Sequence, residues 1–296
     1  MIDPTNGASD LERREIRAIS NYTLYDDPIR LFRLLRFKAR FGFTVEERTL
    51  AQFRNAREAG VEKYIQPRSL FKELRQTALE NNPLDIFMAL DEEGLLHLYC
   101  PGLTGPKLNH AAFQKIAKAK ASIPFGASFP ADWYAIHLYC LTQLLSPKER
   151  AALAANTKMS KEEAAPWQKL EAHAKKLETA LKSPKLSKAS QVYALLQKSA
   201  GEEILLLHLK SQQRLVQDRI KNYLTKYLST AMEVTDAEVA EASGIEPGNP
   251  KFAKAREERI YARLDGRVRK PAPPPEPEPA PAAPMRGTLL RASRFN

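Results

Sequence analysis

The chain has 296 residues, of which 43% are hydrophobic, and it carries a formal net charge of +11. This length and apolar content suit one or two folded domains and exclude a chain that is disordered throughout. The two cysteines, Cys100 and Cys140, are too few for a disulfide framework or a zinc site, which favours a reducing, cytoplasmic location. No apolar run is long enough to span a membrane, and the basic excess suits a polyanion such as RNA.

The first strongly predicted helix begins at Asp27-Pro28. We expect Asp27 to be the N-cap and Pro28 to take the first helical position, where its missing N–H is not needed. At 100° per residue, the apolar side chains of the following turns share one broad face. Arg33, Arg36 and Arg40 share another face, which predicts a cationic ridge along the helix.

Asp27 and Arg30 lie three residues apart and offer a carboxylate acceptor and a guanidinium donor at the start of this helix. Adenine and cytosine each present an exocyclic amine donor beside a ring-nitrogen acceptor, a pattern that guanine and uracil lack. A fixed Asp–Arg pair could therefore bind either adenine or cytosine. The alternative is that Asp27 only caps the helix and the arginines form a solvated face.

The stretch from Tyr25 to Phe37 resembles the neck helix of the tRNA nucleotidyltransferase/poly(A) polymerase family, class II CCA-adding type. The family motif is Glu-Asp-x-x-Arg followed by Leu-x-Arg-x-x-Arg-Phe. The resemblance implies that Asp27 and Arg30 bind the base of the substrate nucleotide, ATP or CTP. Asp26 takes the position of the motif's glutamate, which is a conservative departure.

The same resemblance implies supporting roles for the neighbours of this pair. Arg33 and Arg36 would orient Asp27 or contact phosphate, and Asp26 would support the same site. Arg40 is a weaker candidate for contacts with RNA.

Residues 1–20 resemble the segment that closes the family's catalytic head domain, with an Ile-Asp-Pro…Gly…Asp-Leu turn. The family's Gly-Gly phosphate loop, Asp-x-Asp metal carboxylates and Arg-Arg-x-x-Asn motif would all precede this point. Adjacent acids elsewhere, such as Glu162-Glu163 and Glu202-Glu203, lie in helical or turn contexts rather than on strands. We therefore predict no catalytic residues and no metal site in this chain. Mg²⁺ would come only through a missing head domain, and the chain alone would be inactive as a transferase.

The next helices resemble the family's RNA-binding body. The segment 65–74 is similar to the family pattern Ile-Ser-x-Glu-Arg-Ile-x-x-Glu-Leu, with Arg68 near its arginine and Glu73 at its last glutamate. Arg68 is therefore a second weak candidate for RNA binding. A helix–Gly–Leu-Leu…Pro pattern follows, in which we expect Gly94 to end a helix.

The middle of the chain is interpreted from helical pattern alone. A Pro/Gly/Ser-rich break at 123–130 separates two helices, and we assign the aromatic stripe around Trp133 to packing. Ser146-Pro147 predicts a capped helix start. One long helix is predicted from about residue 202 to residue 232.

The C-terminal part has two distinct compositions. Residues 235–268 resemble the family's closing Gly-Ile-x-Pro-Gly-Pro turn and final helix. Residues 271–284 then hold eight of the 21 prolines, interleaved with alanine and glutamate. This composition predicts a disordered, polyproline-II-like tail.

Together these observations predict an all-α protein, built as an elongated array of helices with a disordered Pro-rich C-terminus. The predicted units, in chain order, are a head remnant (1–20), neck helices with the nucleobase-reading motif (21–60), an RNA-binding body (61–125), a helical tail domain (126–270) and the Pro-rich tail (271–296).

The resemblance implies 3′-end processing of RNA, by CCA or A addition to tRNA, in which this chain supplies nucleobase selection and RNA binding. Its partners would be the tRNA acceptor end, a nucleotide and a separate head domain, with no membrane involved. Two alternatives remain: a stand-alone, non-catalytic helical RNA-binding protein, and a helical scaffold whose Pro-rich tail binds a small recognition domain. CCA, A-only, CC-only and poly(A) addition share the neck motif.

Overall fold

The computed structural model describes residues 3–123 and 129–267, and every structural statement below refers to these residues. The Pro-rich tail at 271–296 and its predicted disorder lie outside the described residues. Most of the predicted break at 123–130 also lies outside them.

The described chain is helical apart from one pair of two-residue strands, which confirms the all-α prediction. The helices and strands, in chain order, are α1 (Gly7–Arg13), β1 (Glu15–Ile16), α2 (Thr23–Asp26), α3 (Arg30–Phe41), β2 (Thr44–Val45), α4 (Glu47–Glu58), α5 (Pro67–Leu79), α6 (Pro83–Glu92), α7 (His110–Ser122), α8 (Trp133–Thr142), α9 (Pro147–Asn156), α10 (Lys161–Gln168), α11 (Leu170–Leu181), α12 (Ala189–Gln197), α13 (Gly201–Lys210), α14 (Arg214–Asn222), α15 (Leu228–Glu233), α16 (Asp236–Ser243) and α17 (Phe252–Leu264). Short 3₁₀ turns lie at Val61–Tyr64, Leu96–Leu98 and Gly105–Lys107, and a π-helical segment lies at Tyr223–Tyr227.

The parallel pair β1–β2 joins the chain before the neck helix α3 to the chain after it. Glu15 lies opposite Thr44, and Ile16 lies opposite Val45. The Thr44 N–H donates to the Arg14 carbonyl at 3.1 Å. A strand of two residues is too short to show the alternation of apolar and polar residues that predicts strands, so the sequence analysis did not predict this pair.

The helix α3 packs its apolar face into the core, mainly against α6, and it also contacts α5. Phe32 is fully buried and meets the ring of Tyr99 edge-on, with centroids 5.5 Å apart. Each such buried side chain stabilises the fold by about 1.5–3 kcal/mol. The helix ends at Gly42, whose φ of +61° places it in the left-handed region that glycine favours. The buried face fixes the rotation of α3 and therefore the direction of its arginines.

The predicted long helix from 202 to 232 is wrong, because the chain breaks at Ser211-Gln212-Gln213 between α13 and α14. The side-chain amide of Gln217 compensates for the break. Its Nε2 donates to the carbonyls of Leu207 at 3.1 Å, of His208 at 3.2 Å and of Ser211 at 2.7 Å. The Leu207 carbonyl also accepts the Ser211 N–H at 2.9 Å, so the two hydrogens of the Gln217 amide mainly serve the carbonyls of His208 and Ser211, which the break leaves without a helical partner.

Two predicted helix ends are confirmed. Ser146 caps α9 with a capping box, in which its hydroxyl accepts the Glu149 N–H and the Glu149 carboxylate accepts the Ser146 N–H. Gly94 follows α6 with a φ of +63°, and its N–H donates to the Asp91 carbonyl at 2.8 Å.

Replacing Gly94 by alanine is expected to lower the free energy of unfolding by about 1 kcal/mol, because a Cβ is strained at positive φ. No atom lies within 4 Å of the added Cβ, so the cost is conformational and not steric. Urea unfolding followed by circular dichroism measures it. Gly7→Ala, at a helix start without positive φ, is the control and should show no loss; equal losses in both variants would contradict the argument.

No helix within residues 3–123 and 129–267 combines the length and the apolar character needed to cross a membrane.

Candidate functional site

Asp27 lies between α2 and α3, and its side chain does not cap α3 as predicted. The N-cap of α3 is Ile29, without a side-chain hydrogen bond. The first amides of the helix instead bond to backbone carbonyls: the Arg30 N–H donates to the Asp27 carbonyl at 3.0 Å. The carboxylate is left for two guanidinium groups, because its Oδ2 accepts from Arg30 Nε at 3.2 Å and from Arg33 Nη1 at 3.4 Å.

The Asp27–Arg30 pair is open to solvent, with side chains 39% and 41% exposed. Arg30 Nη1 also donates to the Thr23 carbonyl at 3.4 Å, which ties the guanidinium to α2. Within the described residues, Asp27 Oδ1 and Arg30 Nη2 have no hydrogen-bond partner. The pair therefore keeps one carboxylate oxygen and one guanidinium nitrogen without a partner in the described part of the chain.

Arg33 connects Asp27 to a buried acid on α5. Its Nε lies 3.6 Å from Glu73 Oε2, and the Glu73 side chain is only 4% exposed. Glu73 Oε1 accepts from Arg36 Nε at 2.6 Å. Since Glu73 cannot move in the packed core, it fixes the arginine that holds Asp27.

The row of charges continues to Glu80 at the end of α5. Arg36 Nη1 lies 2.9 Å from Glu80 Oε1, and Arg40 Nη1 lies 3.2 Å from the same oxygen. We call the alternating row of Asp27, Arg33, Glu73, Arg36, Glu80 and Arg40 the ion-pair chain.

The predicted cationic ridge is therefore neutralised by acids from α5. The Arg36 side chain is 8% exposed. Burial opposes its charge, yet the hydrogen bonds with Glu73 and Glu80 raise the pKa of Arg36 above its ordinary value. Arg36 pairs with Glu73 and Glu80 and not with Asp27, so its two predicted roles, orienting Asp27 or contacting phosphate, stay predictions.

Sequence reasoning missed Glu80 entirely and gave Glu73 no role. A signal for Glu73 exists, since it falls on the apolar face of α5 among Leu70, Leu74 and Thr77. A carboxylate on a buried helix face requires a cationic partner.

Asp26 is the last residue of α2 and is exposed. Its side chain makes no hydrogen bond or ion pair within the described residues. Its predicted supporting role stays a prediction.

Arg68, the other weak RNA candidate, joins the start of α5 to α10. Its guanidinium makes two parallel hydrogen bonds to Glu163, Nη1–Oε2 at 2.7 Å and Nη2–Oε1 at 2.9 Å. It also lies over the Phe71 ring at 4.7 Å. The described contacts give Arg68 a structural role, and its contact with RNA stays a prediction, as does that of Arg40.

Glu163→Gln is expected to lower the melting temperature by about 2 °C near pH 7, the size typical of one exposed ion pair. The hydrogen bond from Arg68 lowers the pKa of Glu163 to about 2. The pair therefore stabilises the fold above pH 4.5 and loses this effect as the pH falls towards 2. Thermal unfolding from pH 7 to pH 2 should show the difference between variant and parent shrinking with acid.

Gln at position 163 can still complete the capping box of α10, so the substitution removes only the charge. Glu47→Gln, on an exposed position of α4, is the control and should not change the melting temperature. A difference for Glu163→Gln that stays constant across the pH range would contradict the role of this ion pair.

A cavity of about 290 Å³ is lined by Arg30 but not by Asp27. Arg30 and Arg33 form one side of it, and its remaining walls are mostly apolar, with contributions from Ile16, Ala18, Leu24, Leu34 and Phe37. The segment after β1 is held in place by the Ala18 N–H, which donates to Thr49 Oγ1 at 2.8 Å. A flat, partly apolar group with a polar edge fits such a space.

No group of three or more His, Cys, Asp or Glu side chains in the described ranges is arranged to hold a metal ion.

Comparison with known proteins bears on the resemblance. No family model matches the chain. It is 34% identical over 119 residues to the multifunctional CCA protein of Teredinibacter turnerae, covering 37% of this chain and 29% of that protein. It is 32% identical over 162 residues to the protein of the same name from Alkalilimnicola ehrlichii, covering 50% of this chain and 39% of that protein. The chain is similar, over part of its length, to multifunctional CCA proteins.

Solved structures share the fold of this chain. A structure titled as a tRNA-processing enzyme complex matches with a TM-score of 0.56 at 20% identity, over 89% of this chain and 69% of that one. The Thermotoga maritima CCA-adding enzyme complexed with tRNA matches with a TM-score of 0.50 at 24% identity, over 90% of this chain and 64% of that one. The chain spans between about a quarter and two fifths of the curated relatives' length.

Proposed function

We propose that this chain selects the nucleobase and binds RNA in tRNA 3′-end processing, by CCA or A addition. One observation carries the proposal: Arg30 and Arg33 hold the Asp27 carboxylate through its Oδ2, while Asp27 Oδ1 and Arg30 Nη2 have no partner in the described residues. The ligands would be ATP or CTP and the acceptor end of tRNA, in the cytoplasm. The division into neck, body and tail units belongs to the same proposal.

The pair would bind the base in the following way. Asp27 Oδ1 accepts a hydrogen from the exocyclic amine, N6 of adenine or N4 of cytosine. Arg30 donates to the adjacent ring nitrogen, N1 of adenine or N3 of cytosine. Guanine and uracil would place a carbonyl oxygen against the carboxylate and an N–H against the guanidinium. Since hydrogen bonds to charged groups contribute about 1.5–3 kcal/mol each, selection by about 10- to 100-fold follows.

The ion-pair chain would keep this pair rigid. Arg33 holds Asp27 from the side opposite to the free oxygen, and Glu73 holds Arg33 from the core. A binding group fixed before the ligand arrives loses less entropy on binding. The cavity beside Arg30 would take the base, with its apolar wall against the ring.

RNA binding is supported by the basic excess of the chain and by its relatives. Solved neighbours are titled as a CCA-adding enzyme complexed with tRNA and as a tRNA-processing enzyme with CTP. The triphosphate and its Mg²⁺ would be held outside the described residues, by a head domain.

The experiment combines the full chain with a separately expressed head domain of a CCA-adding enzyme, tRNA lacking its 3′ end, Mg²⁺ and each labelled nucleotide. Incorporation of A or C, only when both proteins are present, is the expected result. Arg30→Ala should reduce incorporation at least tenfold, whereas Lys38→Ala, on an exposed position of the same helix, should not. Tight tRNA binding without any incorporation would instead favour a stand-alone RNA-binding protein, and equal incorporation of G and U would contradict base selection.

A further inference from the structure

A second cavity, of about 260 Å³, lies between the start of α6, α7 and α8. It shares no lining residue with the cavity beside Arg30. The side chains and backbone that matter here are Asn82, Leu84, Phe113, Ile116, Lys120 and His137.

His137 forms part of the cavity wall with an unpaired nitrogen. The side chain is 4% exposed, and its Nδ1 lies 2.7 Å from the Ala78 carbonyl, which can only accept a hydrogen bond. Burial lowers the pKa of His137 to about 4, so the ring is neutral and its proton lies on Nδ1. Nε2 is then an acceptor, and no donor within the described residues bonds to it. A ligand group with an N–H or O–H would satisfy it.

Lys120 places a cation on the same cavity without a carboxylate partner. Its Nζ lies 3.1 Å from Asn81 Oδ1 and 4.7 Å from the centre of the Trp133 ring, and it forms no ion pair in the described part of the chain. Neutral and aromatic neighbours leave the positive charge uncompensated. The position favours an anion.

The start of α6 adds a second positive feature. Asn82 is its N-cap but makes no side-chain hydrogen bond to the helix, and Pro83 holds the first position. The amides of the first turn therefore have no cap, and the ten-residue helix directs its positive end at the cavity. Asp85, also in the lining, is an exposed residue of the same first turn.

We propose that this cavity binds one nucleotide unit, either free or within an RNA strand. Its phosphate would meet Lys120 and the start of α6, and a ribose hydroxyl or base amine would donate to His137 Nε2. Phe113 and Ile116 would contact the base. The volume is close to the lower end of small-molecule pockets, about 300 Å³, and so suits a single nucleotide. Other ligands that carry a phosphate and a hydrogen-bond donor would fit the same features, and the choice of a nucleotide among them rests on the proposed RNA-related function.

The test uses the intrinsic tryptophan fluorescence of the full chain, to which Trp133 and the buried Trp167 contribute; Trp133 lies against both Lys120 and His137 and is the one that lies near the cavity. The probes are AMP, inorganic phosphate and a short oligoadenylate. We expect AMP to change the emission saturably and to bind at least tenfold more tightly than phosphate. Lys120→Met should weaken the binding of AMP by about 10- to 100-fold, the loss expected for a charge-assisted contact. Lys118→Met, at an exposed position of the same helix, should change the affinity for AMP less than twofold.

His137→Gln separates a nucleotide site from a plain anion site. It should weaken the binding of AMP about tenfold and leave the binding of phosphate unchanged. Circular dichroism checks that the variant folds. If it does not fold, the ratio of AMP to phosphate affinity in the parent chain decides. Equal affinities for AMP and phosphate, or insensitivity to Lys120→Met, would overturn the proposal.

Two further comparisons locate the ligand's source and separate this site from the neck. Tighter binding of the oligoadenylate than of AMP indicates a strand as the ligand, and the reverse indicates a free nucleotide; both agree with the proposal. Asp27→Asn should leave the Trp133 response intact. The proposed function at Asp27 and this second site can therefore fail independently.

Discussion

Replacing Glu73 by glutamine is expected to lower the free energy of unfolding by about 3 kcal/mol. Glu73 is the buried centre of the ion-pair chain, and its loss leaves Arg36 with only Glu80 as a partner in the core. Breaking a buried ion pair from one side costs about 3–5 kcal/mol, because the remaining charge is desolvated without compensation. Urea unfolding of the full chain at pH 7 measures the effect.

The control for Glu73 is Glu92→Gln, at an exposed position at the end of α6. Its effect should stay within about 0.5 kcal/mol. If both variants unfold at the same urea concentration as the parent, Glu73 does not hold the chain together as argued. Base selection should also weaken in Glu73→Gln at temperatures where the variant is still folded, because Arg33 then loses its anchor.

Asp27→Asn is expected to reduce the preference for ATP and CTP over GTP and UTP by about 10- to 100-fold. An amide at this position loses the charge that holds Arg30 and Arg33, and its NH₂ can donate to the carbonyl of guanine or uracil. Incorporation of each nucleotide by the chain combined with a head domain measures the preference.

Asp26→Asn is the matched control, because Asp26 is the adjacent acid and makes no ion pair in the described residues. A small change there, with a large change at Asp27, would identify the acid that reads the base. The opposite result would assign the role to Asp26. Equal, small effects in both would contradict the proposed reading of the base.

The local part of the site could be predicted from the sequence. Residues three apart at a helix start lie on one side of the chain, so the proximity of Asp27 and Arg30 follows from spacing alone. The buried face of α3 follows from its apolar periodicity. The N-cap prediction for Asp27 was wrong because a carboxylate near several arginines has better partners than an amide.

The non-local part could not be predicted in the same way. Glu73 and Glu80 are 37 and 44 residues from Arg36, and their contact depends on how α5 lies against α3. The break before α14 depends on one side chain, Gln217, which replaces backbone partners. The apolar face of α5 indicates that Glu73 is buried, but no periodic signal identifies Arg36 as its partner or predicts the break before α14.

The ion-pair chain is open to water at its two ends and closed to it in the middle. Dissolved ions screen charges in contact with solvent far more than charges packed among side chains. Added sodium chloride should release a nucleic-acid backbone from the surface long before it disturbs the Glu73–Arg36 contact. A salt titration would then separate two properties of one helix: its affinity for a polyanion, and its selectivity for one base over another.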